Sequence, residues 1–119
     1  MKIYLYLDND DAGAVRDLAE SMIAAMATWL IASRSSAALV DCHEGGRSGR
    51  DIGLTIETNK RSTLAKPLDF LYELATAHQQ EFVIGIVDEQ AVYEDICYFG
   101  FEEGKPDIHE VASYLGLPK

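Results

Sequence analysis

The spacing of apolar residues changes period repeatedly along this chain, and that alternation limits what it can fold into. Lys2-Ile-Tyr-Leu-Tyr-Leu7 repeats every two residues, with Ile3, Leu5 and Leu7 on one face and Lys2, Tyr4 and Tyr6 on the other. Asp8-Asn9-Asp10-Asp11 breaks this strand and supplies cap oxygens for a helix. From Ala12 to about Ser33 the spacing becomes helical, through Val15, Leu18, Ala19, Met22, Met26, Trp29 and Leu30. Ile23, Ala27 and Ile31 widen the stripe, so this helix is expected to be the most buried one.

The period then returns to two. Ala37–Glu44 and Asp51–Asn59 read as a second and third strand, joined by the glycine-rich Gly45-Gly-Arg-Ser-Gly-Arg50 turn. Lys66-Pro67 is expected to open a second helix whose inner face is Leu68, Leu71, Leu74 and Ala75. Phe82–Val87 is continuously apolar, as in a strand covered on both faces. Asp88-Glu-Gln90 is a turn, and Tyr93–Phe101 a fifth strand with Tyr93, Asp95, Cys97, Phe99 and Phe101 on one face. Asp107 with Glu110 forms a capping-box pattern before Ile108, Val111, Ala112 and Leu115, and Gly116 with Pro118 ends that helix. The expectation is a mixed α+β fold over residues 1–119. It is a single β-α-β-β-α-β-β-α domain with one five-stranded sheet, mainly antiparallel or mixed, carrying packed helices.

At 119 residues the chain can bury roughly two-thirds of its unfolded surface in one core. Its formal charge is −10. That excess argues against binding nucleic acid or an anionic membrane surface, both of which need surplus Lys and Arg. The charge is uneven. Residues 1–66 hold 9 acidic and 8 basic side chains, whereas residues 67–119 hold 11 acidic and only Lys105 and Lys119. No signal-peptide core or membrane span is read, since the apolar run Ile3–Leu7 ends at Asp8. Cys42 and Cys97 are expected to be reduced, a disulfide being feasible only if their strands are neighbours.

Candidate chemistry is sparse. Asp8, Asp10 and Asp11 at the end of the first strand could hold Mg²⁺, and a phosphate-handling enzyme using Asp8 and Asp10 is the alternative reading. The Thr expected of a haloacid-dehalogenase-like site is missing, however, and an EF-hand register places Ala12 and Ala19 where carboxylates are needed. The simpler role for this group is a solvated helix cap. The Gly45–Arg50 loop lacks Gly-Lys-Ser/Thr and precedes a strand, so it is not a phosphate-binding loop. His43, His78 and His109 read as structural. No catalytic residue, metal ligand set or cofactor is expected.

What stands out is an acidic, aromatic segment. Asp88, Glu89, Glu94, Asp95, Glu102, Glu103, Asp107 and Glu110 crowd together, interleaved with Tyr93, Tyr98, Phe99 and Phe101. Rings supply desolvated area and carboxylates supply steering, the combination that engages a basic partner. Tyr4 and Tyr6 are further candidate anchors, and also a means of self-association in an oligomer-forming module. The bland reading of the segment is a solvated edge hairpin that resists aggregation.

Within this segment, Tyr98-Phe-Gly-Phe-Glu-Glu-Gly-Lys-Pro-Asp-Ile-His-Glu-Val-Ala-Ser-Tyr-Leu-Gly-Leu117 resembles the C-terminal ends of small acidic immunity proteins. These accompany the toxins of contact-dependent growth inhibition and related bacterial polymorphic toxin systems. The resemblance rests on Phe-Gly-Phe-Glu-Glu-Gly and Tyr-Leu-Gly-Leu. It implies a cytoplasmic protein that binds and neutralises one cognate toxin domain, commonly a nuclease. Beside it, the residues lead to the expectation of a non-enzymatic protein, monomeric or a small homo-oligomer, with a basic partner. The expected interface is Asp88, Glu89, Tyr93, Glu94, Asp95, Tyr98, Glu102, Glu103, Asp107 and Glu110, with Asp8, Asp10 and Asp11 as a secondary surface.

Overall fold

A computed structural model describes residues 1–9, 12–41 and 52–117. The elements come in the expected order: β1 (Lys2–Leu7), α1 (Ala12–Ser33), β2 (Ala38–Asp41), β3 (Ile52–Glu57), α2 (Arg61–His78), β4 (Glu81–Val87), β5 (Tyr93–Gly100) and α3 (Ile108–Leu115). The strands form one five-stranded sheet in the order β2-β3-β1-β4-β5, with every neighbouring pair antiparallel. β1-α1-β2 and β3-α2-β4 are therefore interleaved β-α-β units, each leaving a gap that a strand of the other fills. This is the split β-α-β plan. β5 adds an outer edge by a hairpin.

All three helices contribute to one core. Ile3, Leu5 and Leu7 of β1 meet Ile52, Leu54, Phe82, Ile84 and Phe99 on the helix-covered face. Ala19, Met22 and Met26 of α1 and Val111, Ala112 and Leu115 of α3 close over them, together with the α2 stripe. Each fully buried large apolar side chain contributes about 1.5–3 kcal/mol. α2 is the most deeply packed helix, burying Leu64, Pro67, Leu68, Leu71, Leu74 and Ala75. This corrects the expectation for α1, whose Ile31 is 80% exposed. The reason is positional. α1 lies over the short β2 and β3 at one side, whereas α2 packs between α3 and the longer β4 and β5.

α2 also begins earlier than Pro67 suggests. Its first residue is Arg61, and Pro67 sits inside the helix with its ring buried. Leu64 extends the Leu68–Leu71–Ala75 stripe one turn back and is fully buried. Its burial offsets the loss of the bond that a residue-67 amide would make to the Thr63 carbonyl.

The last helix is bounded as its punctuation predicts. The Asp107 carboxylate accepts from the His109 and Glu110 amides at 2.8 and 3.4 Å. Gly116 takes the left-handed conformation (φ 79°), and the Gly116 and Leu117 amides donate to the Ser113 and Ala112 carbonyls. Arg61 Nη1 donates to His109 Nδ1 at 2.7 Å, which fixes that nitrogen as an acceptor and ties the starts of α2 and α3 together.

No described helix is long and apolar enough to cross a membrane. The Gly45–Arg50 loop, His43 and Cys42 lie outside the described residues. Cys97 is a free cysteine, and β2 and β5 are opposite edges of the sheet.

Backbone strain at one position sets up a stability test. In the β4–β5 turn Ala91 has φ 62°, a left-handed conformation that a Cβ disfavours by about 1 kcal/mol. Glycine relieves that strain but adds roughly 0.5 kcal/mol of entropy to the unfolded chain. Ala91→Gly is thus expected to stabilise the fold by about 0.5 kcal/mol, read as a higher urea midpoint with an unchanged slope.

Candidate functional site

The helix-free face of the sheet carries a second, smaller cluster. Tyr4, Tyr6 and Val83 are buried there, with Val40 and Val87 packed at its margin. Tyr4 is 1% exposed and Tyr6 8%. The two rings stack with centroids 4.9 Å apart, and Tyr93 of β5 leans on both at 5.3 and 6.4 Å. Tyr4 and Tyr6 are therefore interior groups of this face, not the exposed anchors that strand alternation alone suggests.

A buried phenol needs a hydrogen-bond partner. Tyr4 Oη donates to Asp95 Oδ1, and Tyr98 Oη lies 3.4 Å from Asp95 Oδ2. Two devices make this possible. Gly85 has no side chain where the Tyr4 ring sits, and a Cβ there would collide with that ring and with the Glu94 carbonyl. A β-bulge then places one extra residue, Ile96, on β5, since Ile84 pairs with Cys97 and Gly85 with Asp95.

The bulge changes which residues of β5 share a face. Tyr93, Asp95 and Tyr98 turn to the helix-free face, whereas Cys97 and Phe99 turn to the main core. The unbroken alternation expected of Tyr93–Phe101 is corrected accordingly. Phe99 is not a surface ring. It is buried and stacked on Phe82 with centroids 5.7 Å apart.

The acidic residues divide by role. The Asp88 carboxylate accepts from the Gln90 and Val92 amides at 2.8 and 2.9 Å, which builds the hairpin turn. Asp107 caps α3, and Asp95 holds Tyr4. Glu89, Glu94, Glu102, Glu103 and Glu110 are exposed. Glu89 and Glu94 lie at the turn end of β5, and Glu102 and Glu103 just beyond its other end, about 25 Å away at the usual strand rise.

Sequence reasoning missed Glu81. Its two carboxylate oxygens accept from the Glu102 and Glu103 amides at 2.8 and 2.9 Å, which fixes the turn that presents those two side chains. The Asp8 amide donates to the Glu81 carbonyl at 2.9 Å, so Asp8 lies at this same end of the sheet. Asp10 and Asp11 lie outside the described residues. Among the described residues no group of three His, Cys, Asp or Glu side chains is placed to hold a metal ion.

Between the acidic ends, the edge strand shows rings to solvent. Tyr93 is 56% exposed, Tyr98 45% and Phe101 50%, with Val92 exposed beside them. The strip is partly apolar with carboxylates at both ends, on β5 and the residues just flanking it, and the outer edge of β5 pairs with no other described strand. No protein-family model matches the sequence, and neither a curated protein nor a solved structure matches the chain.

Gly85 and Cys97 each allow a direct check of this geometry. Gly85→Ala must displace Tyr4 from Asp95 and is expected to destabilise the fold by about 1–3 kcal/mol. Loss of the tyrosine near-ultraviolet dichroism at low denaturant checks it.

At Cys97, burial pushes the thiol above the ordinary 9.0, because desolvation disfavours the thiolate. A raised native value contributes stability that is fully present below pH 9.0 and is lost as pH rises through the native value. Cys97→Ala is therefore expected to flatten the fall in urea midpoint above pH 9.0. Iodoacetamide should also label native Cys97 more slowly than the same residue in urea.

Proposed function

We propose that this protein is a toxin-neutralising immunity protein. It binds the basic catalytic domain of one cognate toxin, a nuclease, along the β5 edge and blocks the cleft that would hold nucleic acid. The observation that carries the reading is the exposed aromatic strip of Val92, Tyr93, Tyr98 and Phe101, set between exposed carboxylates on an edge strand. A nuclease must present Lys, Arg and His to phosphates, so its cleft is electropositive. Glu89, Glu94, Glu102, Glu103 and Glu110 supply the complementary field, which speeds encounter. Tyr93 and Tyr98 supply area that loses water on docking. Tyr93 leans on the Tyr4 and Tyr6 rings and the Tyr98 hydroxyl reaches Asp95, so less rotamer entropy is lost when they bind. Such a protein acts in the cytoplasm, where the toxin meets its nucleic acid, and needs no cofactor.

The test is a calorimetric and kinetic titration against the toxin domain encoded by the neighbouring gene. Tyr98→Ala is expected to weaken binding about 30-fold, as for a central anchor worth roughly 2 kcal/mol. Reversing Glu89, Glu94, Glu102 and Glu103 together to Lys is expected to slow association about 10- to 100-fold at low salt. Asp88, Asp95 and Asp107 are left intact because they hold the turn, Tyr4 and α3. Unchanged affinity and rate in both variants would overturn the surface.

A further inference from the structure

A cleft of about 410 Å³ lies between the C-terminal end of α1 and the first turns of α2. That is within the range of small-molecule sites, roughly 300–1,000 Å³. Its base is apolar, formed by Trp29 and Pro67. Trp29 is itself fixed by stacking on Phe70, with centroids 4.7 Å apart and planes within 8°. Its charged lining residues are Arg34, just past the end of α1, and Lys66, on α2.

This is an unusual composition for a chain of net charge −10. Both charges in the cleft are positive. Its nine lining residues, drawn from 29–36 and 62–67, include Arg34 and Lys66 and no carboxylate. Neither Arg34 nor Lys66 is paired with a carboxylate among the described residues. The cleft thus holds two cations with no carboxylate partner among the described residues, and an anion bound there would contact both.

The remaining lining is hydroxyl-rich. The Ser35 hydroxyl accepts the Ala37 amide at 3.1 Å, which leaves its proton to donate into the cleft. Ser62 and Thr63 stand on the opposite wall. Pro67, which also lines the cleft, has no amide to donate to the Thr63 carbonyl. Planar guanidinium, ammonium and hydroxyl donors together match the several oxygens of a phosphate dianion better than the two of a carboxylate. The volume exceeds that of phosphate alone, and the hydroxyl-rich lining suits a hydroxyl on the ligand body.

We propose that this cleft binds a small phosphate monoester with a hydroxyl-bearing body, the phosphate held between Arg34 and Lys66. The site is on the helix layer and is independent of the β5 strip.

The test uses the full chain and amide NMR titrations with ribose 5-phosphate, inorganic phosphate and ribose. Ribose 5-phosphate is expected to give saturable shifts at Arg34, Ser35, Ser62, Thr63 and Lys66, inorganic phosphate weaker ones at the same amides, and ribose none. Arg34→Glu and Lys66→Glu should each weaken binding about tenfold or more, as for loss of a charge-assisted contact, with the rest of the spectrum unchanged. Three outcomes would overturn the proposal: no saturation with ribose 5-phosphate, equal shifts at Lys2 and Lys105 that persist in the double variant, or ribose alone reproducing the effect. Inorganic phosphate binding as tightly as the ester would overturn the part assigned to the ligand body.

Discussion

The Tyr4 hydroxyl on the Asp95 carboxylate is the contact around which the helix-free face is organised. β1 is buried on both faces, with Ile3, Leu5 and Leu7 on one and Tyr4 and Tyr6 on the other. An interior phenol without a partner would cost about 1–3 kcal/mol. Its partner stands on β5, two strands away in the sheet, so the ring must cross β4. β4 permits this only because residue 85 is glycine. β5 in turn presents Asp95 only because Ile96 is bulged out of register. Tyr98 shares the face of Asp95 for the same reason, and Tyr93 shares it by ordinary alternation. The orientation of the exposed aromatic strip is thus a consequence of satisfying one buried hydroxyl.

Much of the framework is legible in the amino-acid order, and the places where it is not have identifiable physical causes. α3 is bounded by local chemistry, an Asp107 carboxylate reaching two amides and a Gly116 free to turn left-handed, and such features involve no distant residue. α2 is harder to read because Pro67 is a strong local signal for a first turn, while the burial of Leu64 is a tertiary fact that outweighs it. β5 reads Tyr93-Glu-Asp-Ile-Cys-Tyr-Phe-Gly100, with two adjacent acids and then four consecutive apolar or aromatic residues, so polarity marks neither its faces nor the bulge at Ile96. The site is less legible than the fold. Asp88 and Asp107 act on amides two to four residues away, whereas Asp95 and Glu81 act across long sequence separations and share their letters with carboxylates left in solvent.

That separation of roles changes how the acidic half is understood. Asp88, Asp95 and Asp107 each satisfy groups within the chain, as does Glu81 beneath Glu102 and Glu103. Charge reversal at these positions reports on stability before it reports on binding. Glu89, Glu94, Glu102, Glu103 and Glu110 have no such internal duty among the described hydrogen bonds, and they flank the exposed rings. Their field is concentrated at one edge of a molecule measuring 39 × 31 × 27 Å. A partner approaching along that edge meets carboxylates first and rings second, the order that separates steering from retention.

The cationic cleft at the α1–α2 seam bears on the same electrostatics from the other side of the molecule. In water at physiological salt, charges more than about 8 Å apart are largely screened. Arg34 and Lys66 therefore neither neutralise the β5 carboxylates nor depend on them, and each surface can be judged by its own local composition. A uniform scatter of 20 acidic residues over 119 would place one or two carboxylates among the nine residues that line the cleft. Their absence from both walls, together with their crowding at the β5 edge, divides the surface into two regions of opposite sign. One is the aromatic edge proposed as the partner surface. The other is the concave, hydroxyl-lined cleft proposed for a small anion. Because the helix layer and the sheet edge contribute separate residues to them, a ligand in the cleft leaves the strip free for a partner.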